Sequence, residues 1–539
     1  MQILENKQLH HLGLVAGMCK EVGIGHIIDS YIVKPKRKVS VGQATEAMII
    51  NALGFTGRAL YLTPKFMKHK PTDVLIGEGI KEEHLNDASL GTALDALFDA
   101  GLTELFYTIT SNALKQNKIE HRFVHLDTTS ISLHGEYNSE DPDVDPNVIK
   151  ITKGFSKDNA PELNQVIVSL MCTYRSSIPL WIESLSGNSS DKKSFRETIR
   201  KYKDNFQKKE LPYFICDSAL YTKENIHQLS DICWVTRVPE TLKEARNIIM
   251  MTDKTTMHPS KSPNYYYKKF ESEYGGVKQR WITVYSTKAY EREYKTLSKN
   301  INKENEKKGK ELWHLGNQLY ACEADAVKAA KMFDRKLKYH QLDYSIEVKK
   351  SFVKKGRPNK GSIPVQEQCF ISATIKINPD AVKIAQSKKG FFIIATNEMD
   401  ENKISAKKLL DVYKGQNISV ERGFRFLKDP MFYAESLYLK TPSRIMALIM
   451  VMGLSLLVYA LAERKIRKAM SENNLYIKNQ KNKPTSKPTI RWVFQVFEGI
   501  LYLVIKEGSN ITKMVMNIED DHRTILKCLG PPYEKMYFL

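Results

Sequence analysis

A chain of 539 residues, 42% of them hydrophobic, has material for several domains with sizeable cores, which excludes a disordered or fibrous protein. Its formal charge of +21 is spread along the chain and calls for a polyanionic partner, without separating nucleic acid from anionic lipid. The seven cysteines are scattered with no CxxC pair, which argues against a disulfide framework or structural zinc and for free thiols in a reducing compartment. The first residues, MQILENKQLHHLGLVAGMCKEVG, lack the pattern of a signal peptide, so a cytoplasmic protein is expected.

Residues 1–118 read as a helical N-terminal domain, for binding DNA ends or for dimerisation. Ser40 followed by Gln43 is a capping box that predicts a helix over 41–53. Leu90, Leu94 and Leu97 form an apolar stripe that ends at Gly101, ahead of a second helix from Thr103. Such a pair fits either a DNA-reading helix-turn-helix or a plain helical hairpin, and the basic run KPKRK at 34–38 favours DNA. From Arg122 the period becomes two. Phe123, His125, Asp127, Thr129 and Ile131 share one face of a strand, and further strands are expected at 166–174, 213–218 and 232–239, with a helix after DKKSF at 191–195.

Residues 119–250 are thus the first part of a mixed α/β core. Residues 251–385 read as a β-rich insertion, with NYYYKKF, RWITVYS, the charged run LSKNINKENEKKGKELW and the basic turn VKKGRPNKGS. NYYYKKF fits ordinary sheet packing or stacking on unpaired bases. Residues 386–469 resume the core with GFFIIATN and helices over 404–414, 417–428 and 443–468. The apolar run IMALIMVMGLSLLVYALA (445–462) reaches the lower length limit of a membrane span. It stands alone and is diluted by Gly453, Ser455 and Tyr459, so a helix buried on every side is expected, with no membrane partner. Residues 470–539 read as a basic linker followed by an amphipathic unit, RWVFQVFEGILYLV.

Three acids carry the chemistry. Asp127 lies inside the strand FVHLDTTS and Asp217 ends the apolar strand YFICDS, where a carboxylate costs several kcal/mol unless bonded or neutralised by a cation. In NISVERGFRFLKDP, Val420, Phe424 and Leu427 form an apolar ridge beside a polar stripe of Glu421, Arg425 and Lys428. Three converging carboxylates suit Mg²⁺ or Mn²⁺, and two such ions promote in-line displacement at phosphorus. His125, on the same face as Asp127, is expected to be a core histidine.

HLDTTS, ICDSALYT and YKGQNISVERGFRFLKDP resemble the three acidic boxes of bacterial insertion-sequence transposases of the DDE class, in the branch with a Tyr, Arg, Glu, Lys signature around the third acid. The resemblance covers roughly residues 120–465. It implies an RNase H-like catalytic core interrupted by a mostly β insertion between the second and third acids. It implies Asp127, Asp217 and Glu421 as catalytic ligands of two Mg²⁺ or Mn²⁺ ions, with Tyr413 and Lys428 on DNA phosphates. Where the signature has Arg the chain has Gln416, so that phosphate clamp is either missing or supplied by Lys414 or Arg425, and the Tyr413 to Glu421 interval is one residue longer. Lys157 in GFSKDNAPEL, and Lys354, Lys355 and Arg357 in the basic turn, are further DNA-contact candidates; a hairpin turn and a solvated turn are the plain readings of those segments. The implied function is metal-dependent strand cleavage at element ends and 3′-OH strand transfer into target DNA by a homodimer on the terminal inverted repeats, in a prokaryotic cytoplasm at the nucleoid. The alternatives are an RNase H-like nuclease without strand transfer and an inactive DNA-binding remnant.

Overall fold

The computed structural model describes residues 2–32, 37–55, 60–135, 137, 147–158, 160–205, 211–351, 366–429 and 439–538. The chain divides into two units. The first comprises residues 1–236, 273–278 and 396–539, and the second residues 237–272 and 279–395.

In the first unit the N-terminal region is helical: α1 (Leu12–Val22), α2 (Ile24–Tyr31), α3 (Val41–Ala52), α4 (Asp87–Asp99) and α5 (Leu102–Gln116). The capping box at α3 forms as expected. The Gln43 N–H donates to Ser40 Oγ (3.1 Å) and the Ser40 N–H donates to Gln43 Oε1 (3.0 Å), satisfying two end donors reciprocally. Helices α4 and α5 pack on a 31-residue helix, labelled α10 below, in which Ile445 to Ala462 is buried almost throughout. That helix is the apolar run of the sequence: long and apolar enough to cross a membrane, but 89% of its apolar window is enclosed by protein. A bidentate ion pair from Arg444 to Asp95 (2.7 and 2.8 Å) pins its N-terminal end to α4. An edge strand, β1 (Gln2–Gln8), pairs antiparallel with Leu501–Glu507, which pairs in turn with Asn510–Met516.

The core sheet follows: β2 (Phe123–Leu133), β3 (Asn164–Thr173), β4 (Pro179–Leu185), helix α6 (Asp191–Asn205), β5 (Tyr213–Cys216) and β6 (Trp234–Val238). Its order is β4-β3-β2-β5-β6. The first three strands form an antiparallel meander, and β5 and β6 run parallel to β2. This mixed sheet, flanked by helices, is the RNase H-like arrangement expected. Both faces of β2 are covered, so it reads as a nearly continuous buried run in which Asp127 is one of two half-open positions.

In the second unit, strands Tyr265–Tyr274, Val277–Ser286 and Phe391–Thr396 accompany a long hairpin of His340–Ser351 with Gln366–Ile377. The charged run lies within a 30-residue helix, α7 (Thr287–Gly316). The first unit is completed by α8 (Ala406–Lys414), a 3₁₀ turn at Gly415–Ile418, α9 (Val420–Leu427) and α10 (Pro442–Glu472).

Candidate active site

Strand register places the first two acids. β2 and β5 are parallel neighbours with His125 opposite Ile215. Two residues further along the two chains are Asp127 and Asp217, the latter just past the end of β5 and near enough for its charge to act on Asp127. Asp217 turns the chain there. Its carboxylate accepts from the Ala219 N–H (2.8 Å) and its carbonyl from Thr236 Oγ (2.6 Å) on β6. Asp127 Oδ1 accepts from the Thr128 N–H at 2.7 Å.

A third acid joins them. Asp191, in the first turn of α6, accepts from Thr128 Oγ1 at 2.5 Å. The ammonium of Lys157 stands between the carboxylates, 3.1 Å from Asp191 Oδ2 and 4.0 Å from Asp127 Oδ1, and donates to the Thr128 carbonyl (2.7 Å) and hydroxyl (2.9 Å). Burial first, and then the charges of Asp217 and Asp191, push the Asp127 carboxyl up to about 7, against the opposing pull of Lys157. Asp217 is also raised, by burial first and by Asp191. These carboxylates are expensive to ionise together, and a divalent cation would relieve that cost. The donors are all oxygens and a cationic ammonium is already seated among them, so their chemistry, though not their present spacing, suits a hard divalent ion.

Alternation along β2 assigns its faces. Thr128 faces α6, whereas His125 faces the α8–α9 segment, and Asp127 shares the His125 face. His125 is wholly buried, the core histidine expected, and burial lowers its pKa to about 4. Its Nε2 donates to the Val412 carbonyl (2.7 Å), so its Nδ1 accepts from Ser419 Oγ (2.6 Å). The strand of the first acid is thereby bolted to both sides of the turn before α9. Within α9 the apolar ridge of Val420, Phe424 and Leu427 is buried, and the helix packs on β2, β3 and α10. Gly423 permits that approach, since a Cβ there would lie 2.8 Å from Leu170 and 3.2 Å from Leu456. Arg422 reaches the buried Glu463 of α10 at 2.7 Å.

Glu421 lies in the first turn of α9 with its side chain exposed, outside the group formed by Asp127, Asp217 and Asp191. Among the described residues, no three Asp, Glu, His or Cys side chains are gathered tightly enough for a metal cluster. Tyr413 and Lys414 occupy the last turn of α8, and Gln416 the 3₁₀ turn after it. Arg425 is exposed on α9, and Lys428 donates to Asp158 Oδ1 at 2.6 Å. Lys157 points at the acids. Lys354, Lys355 and Arg357 lie outside the described residues.

A family model described as the Transposase DDE domain matches residues 119–459, from just before β2 to within α10, and encloses all three sequence-predicted acids. This chain belongs to the DDE transposases. It is a DNA transposase, an enzyme of DNA transposition. A second model, a domain of unknown function (DUF4277), matches residues 4–111 of the transposase. No curated protein matches it significantly. Among solved structures the transposase is similar to a piggyBac transposase synaptic complex with hairpin DNA, at 8% identity and a TM-score of 0.36, over 90% of this chain and 77% of that one.

Two contributors went unread in the sequence: Asp191, seen only as the start of a helix, and Thr128, one more residue of a strand. Their only sequence signal is an acid and a hydroxyl in segments already known to flank the core.

Proposed function

We propose that this transposase nicks DNA at the ends of its element and transfers the freed 3′-hydroxyl into target DNA, using two Mg²⁺ or Mn²⁺ ions held by Asp127, Asp217 and Glu421. What supports this reading is the proximity of Asp127, inside β2, to Asp217, which follows the end of the neighbouring parallel strand β5, within an all-oxygen group that holds the Lys157 ammonium. The ions supply Lewis acidity at the attacking and leaving oxygens. The residues of the chain do the placing. The β2–β5 register sets the strands of the first two carboxylates, while His125 and Gly423 seat α9, the helix that carries Glu421. Tyr413, Lys414, Arg425 and Lys428, on the same segment, hold phosphates. The charge of +21 favours DNA through counterion release, and two element ends to be paired imply a homodimer on the terminal inverted repeats, at the nucleoid of the cytoplasm.

The test uses duplexes carrying the inverted repeats that flank the gene, with Mg²⁺. Asp127→Asn, Asp217→Asn and Glu421→Gln should each bind the duplex as the unmodified protein does and lose nicking. Pre-nicked ends should be joined to a target duplex; nicking without joining supports the nuclease reading. Cutting by Asp127→Asn at the normal rate refutes the assignment.

A further inference from the structure

The segment before β3 makes two ion pairs that act on opposite sides of the site. Lys157 places its ammonium among Asp127, Asp191 and Thr128, and the next residue, Asp158, accepts from Lys428 just past the end of α9. Consecutive side chains of one segment therefore hold the first-acid strand and the third-acid helix. Lys157 is anchored by four oxygen contacts from three residues, with its side chain 29% exposed. Asp191 accepts from the Thr128 hydroxyl through one oxygen and pairs with the ammonium through the other, which fixes where the charge sits. Nothing in this arrangement requires DNA, and it leaves the Lys157 ammonium facing inward.

We propose that Lys157 is a positioning residue that serves as the built-in counter-cation of the acid pocket. An arriving divalent ion displaces it from Asp127, while Asp191 keeps hold of it. The inference rests on the reading of Asp127 as a metal ligand. Two cations cannot share Asp127 at contact distance without strong repulsion, so ammonium and metal compete for it. The partly exposed ion pair sets the scale at roughly 1 kcal/mol, or about fivefold in metal affinity. Asp158 competes in the same way with a DNA phosphate for Lys428, and the shared segment makes release at one end favour release at the other.

The test is Mn²⁺ binding to the full chain without DNA, followed by electron paramagnetic resonance of the free ion at fixed pH. Lys157→Gln should bind Mn²⁺ about fivefold more tightly, and Lys157→Arg, which restores the charge, should stay within about twofold of the unmodified protein. Unchanged or weaker binding by Lys157→Gln, or equal tightening by Lys157→Arg, overturns the proposal. Asp158→Asn gives a second readout should Lys157→Gln not fold. It should tighten binding to a plain duplex in the absence of metal, and the gain should vanish in the Asp158→Asn/Lys428→Gln double variant; no gain overturns the coupling. Asp127→Asn separates the two failures. If it leaves Mn²⁺ affinity intact, the metal-ligand reading itself fails; if it removes the site while Lys157→Gln does nothing, only the role of Lys157 fails.

Discussion

Glu463 should be among the most sensitive positions in the molecule that touch no DNA. It is 3% exposed on α10, and its two oxygens receive Arg422 and Arg467, each at 2.7 Å, and the Ile490 N–H at 3.0 Å. Glu463→Ala takes the acceptor from all three donors and leaves Arg467 the Pro488 carbonyl (2.8 Å). The Ile490 amide is buried and loses about 1–3 kcal/mol of satisfaction. The two guanidiniums are about a third exposed, so water recovers part of the penalty expected for a broken buried pair. Together about 3 kcal/mol of stability should go, lowering the melting temperature of a unit of this size by roughly 4 °C in scanning calorimetry. Because Arg422 is the residue after Glu421, nicking should fall further than stability alone dictates, measured well below the melting transition. Glu463→Gln keeps an acceptor for Ile490 and should fall between. A Glu463→Ala protein melting within 1 °C of the unmodified one, with normal nicking, would show that α9 is seated by its apolar ridge alone.

Glu46 supplies a pH-dependent case. Buried, with the Gly25 N–H as donor (3.1 Å), its carboxyl is pushed up to about 7 by burial. The folded chain therefore holds a proton that the unfolded chain releases from about pH 4.5, and stability falls as pH rises from there to 7 by about 3 kcal/mol. In urea titrations at pH 4.5 and 7.5, Glu46→Gln should lack that part of the decline; parallel curves would refute it. Gly42→Ala puts a Cβ 2.2 Å from the Gly25 carbonyl oxygen, backbone against backbone between α2 and α3, and should cost at least about 2 kcal/mol by chemical denaturation. Gly423→Ala meets only side-chain ends, so it should cost less than Gly42→Ala in the same assay while lowering nicking through the displaced α9.

What the sequence revealed of this fold was local. The α3 capping box is spelled by two residues three apart. The period-two run from Phe123 has to be a strand, and strands expected at 213–218 and 232–239 appear as Tyr213–Cys216 and Trp234–Val238. The apolar run at 445–462 is a buried helix because no face of it is polar. Misreadings arose where the period carries no signal. The charged run forms most of α7, where Leu297 is the buried residue, so little apolar stripe announces the helix. RWVFQVFEGILYLV, expected as one amphipathic unit, is a helix (Ile490–Val496) and a strand (Leu501–Glu507) parted by a turn in which Gly499 takes a φ of 87°. The helix expected over 417–428 begins only at Val420, after a 3₁₀ turn, because Ser419 is turned toward His125. Asp127 and Asp217 were visible as acids inside apolar strands. Asp191 was not, and Lys157 showed only as a DNA-contact candidate, since their bonds to Thr128 span 63 and 29 residues and leave no mark on either segment.

The pairing of β1 with Leu501–Glu507 has a consequence for biosynthesis. A nascent polypeptide emerging from the ribosome can nucleate α1 to α5 early, yet β1 has no partner until Leu501–Glu507 has been made. Tyr533 and Tyr537, which lie against Gly17 and Gly13 of α1, emerge later still. Sealing of this region therefore awaits residues some five hundred positions further along, and a product terminated before them would carry an open β-edge and a bare helix face, marks by which quality-control proteases recognise incomplete chains.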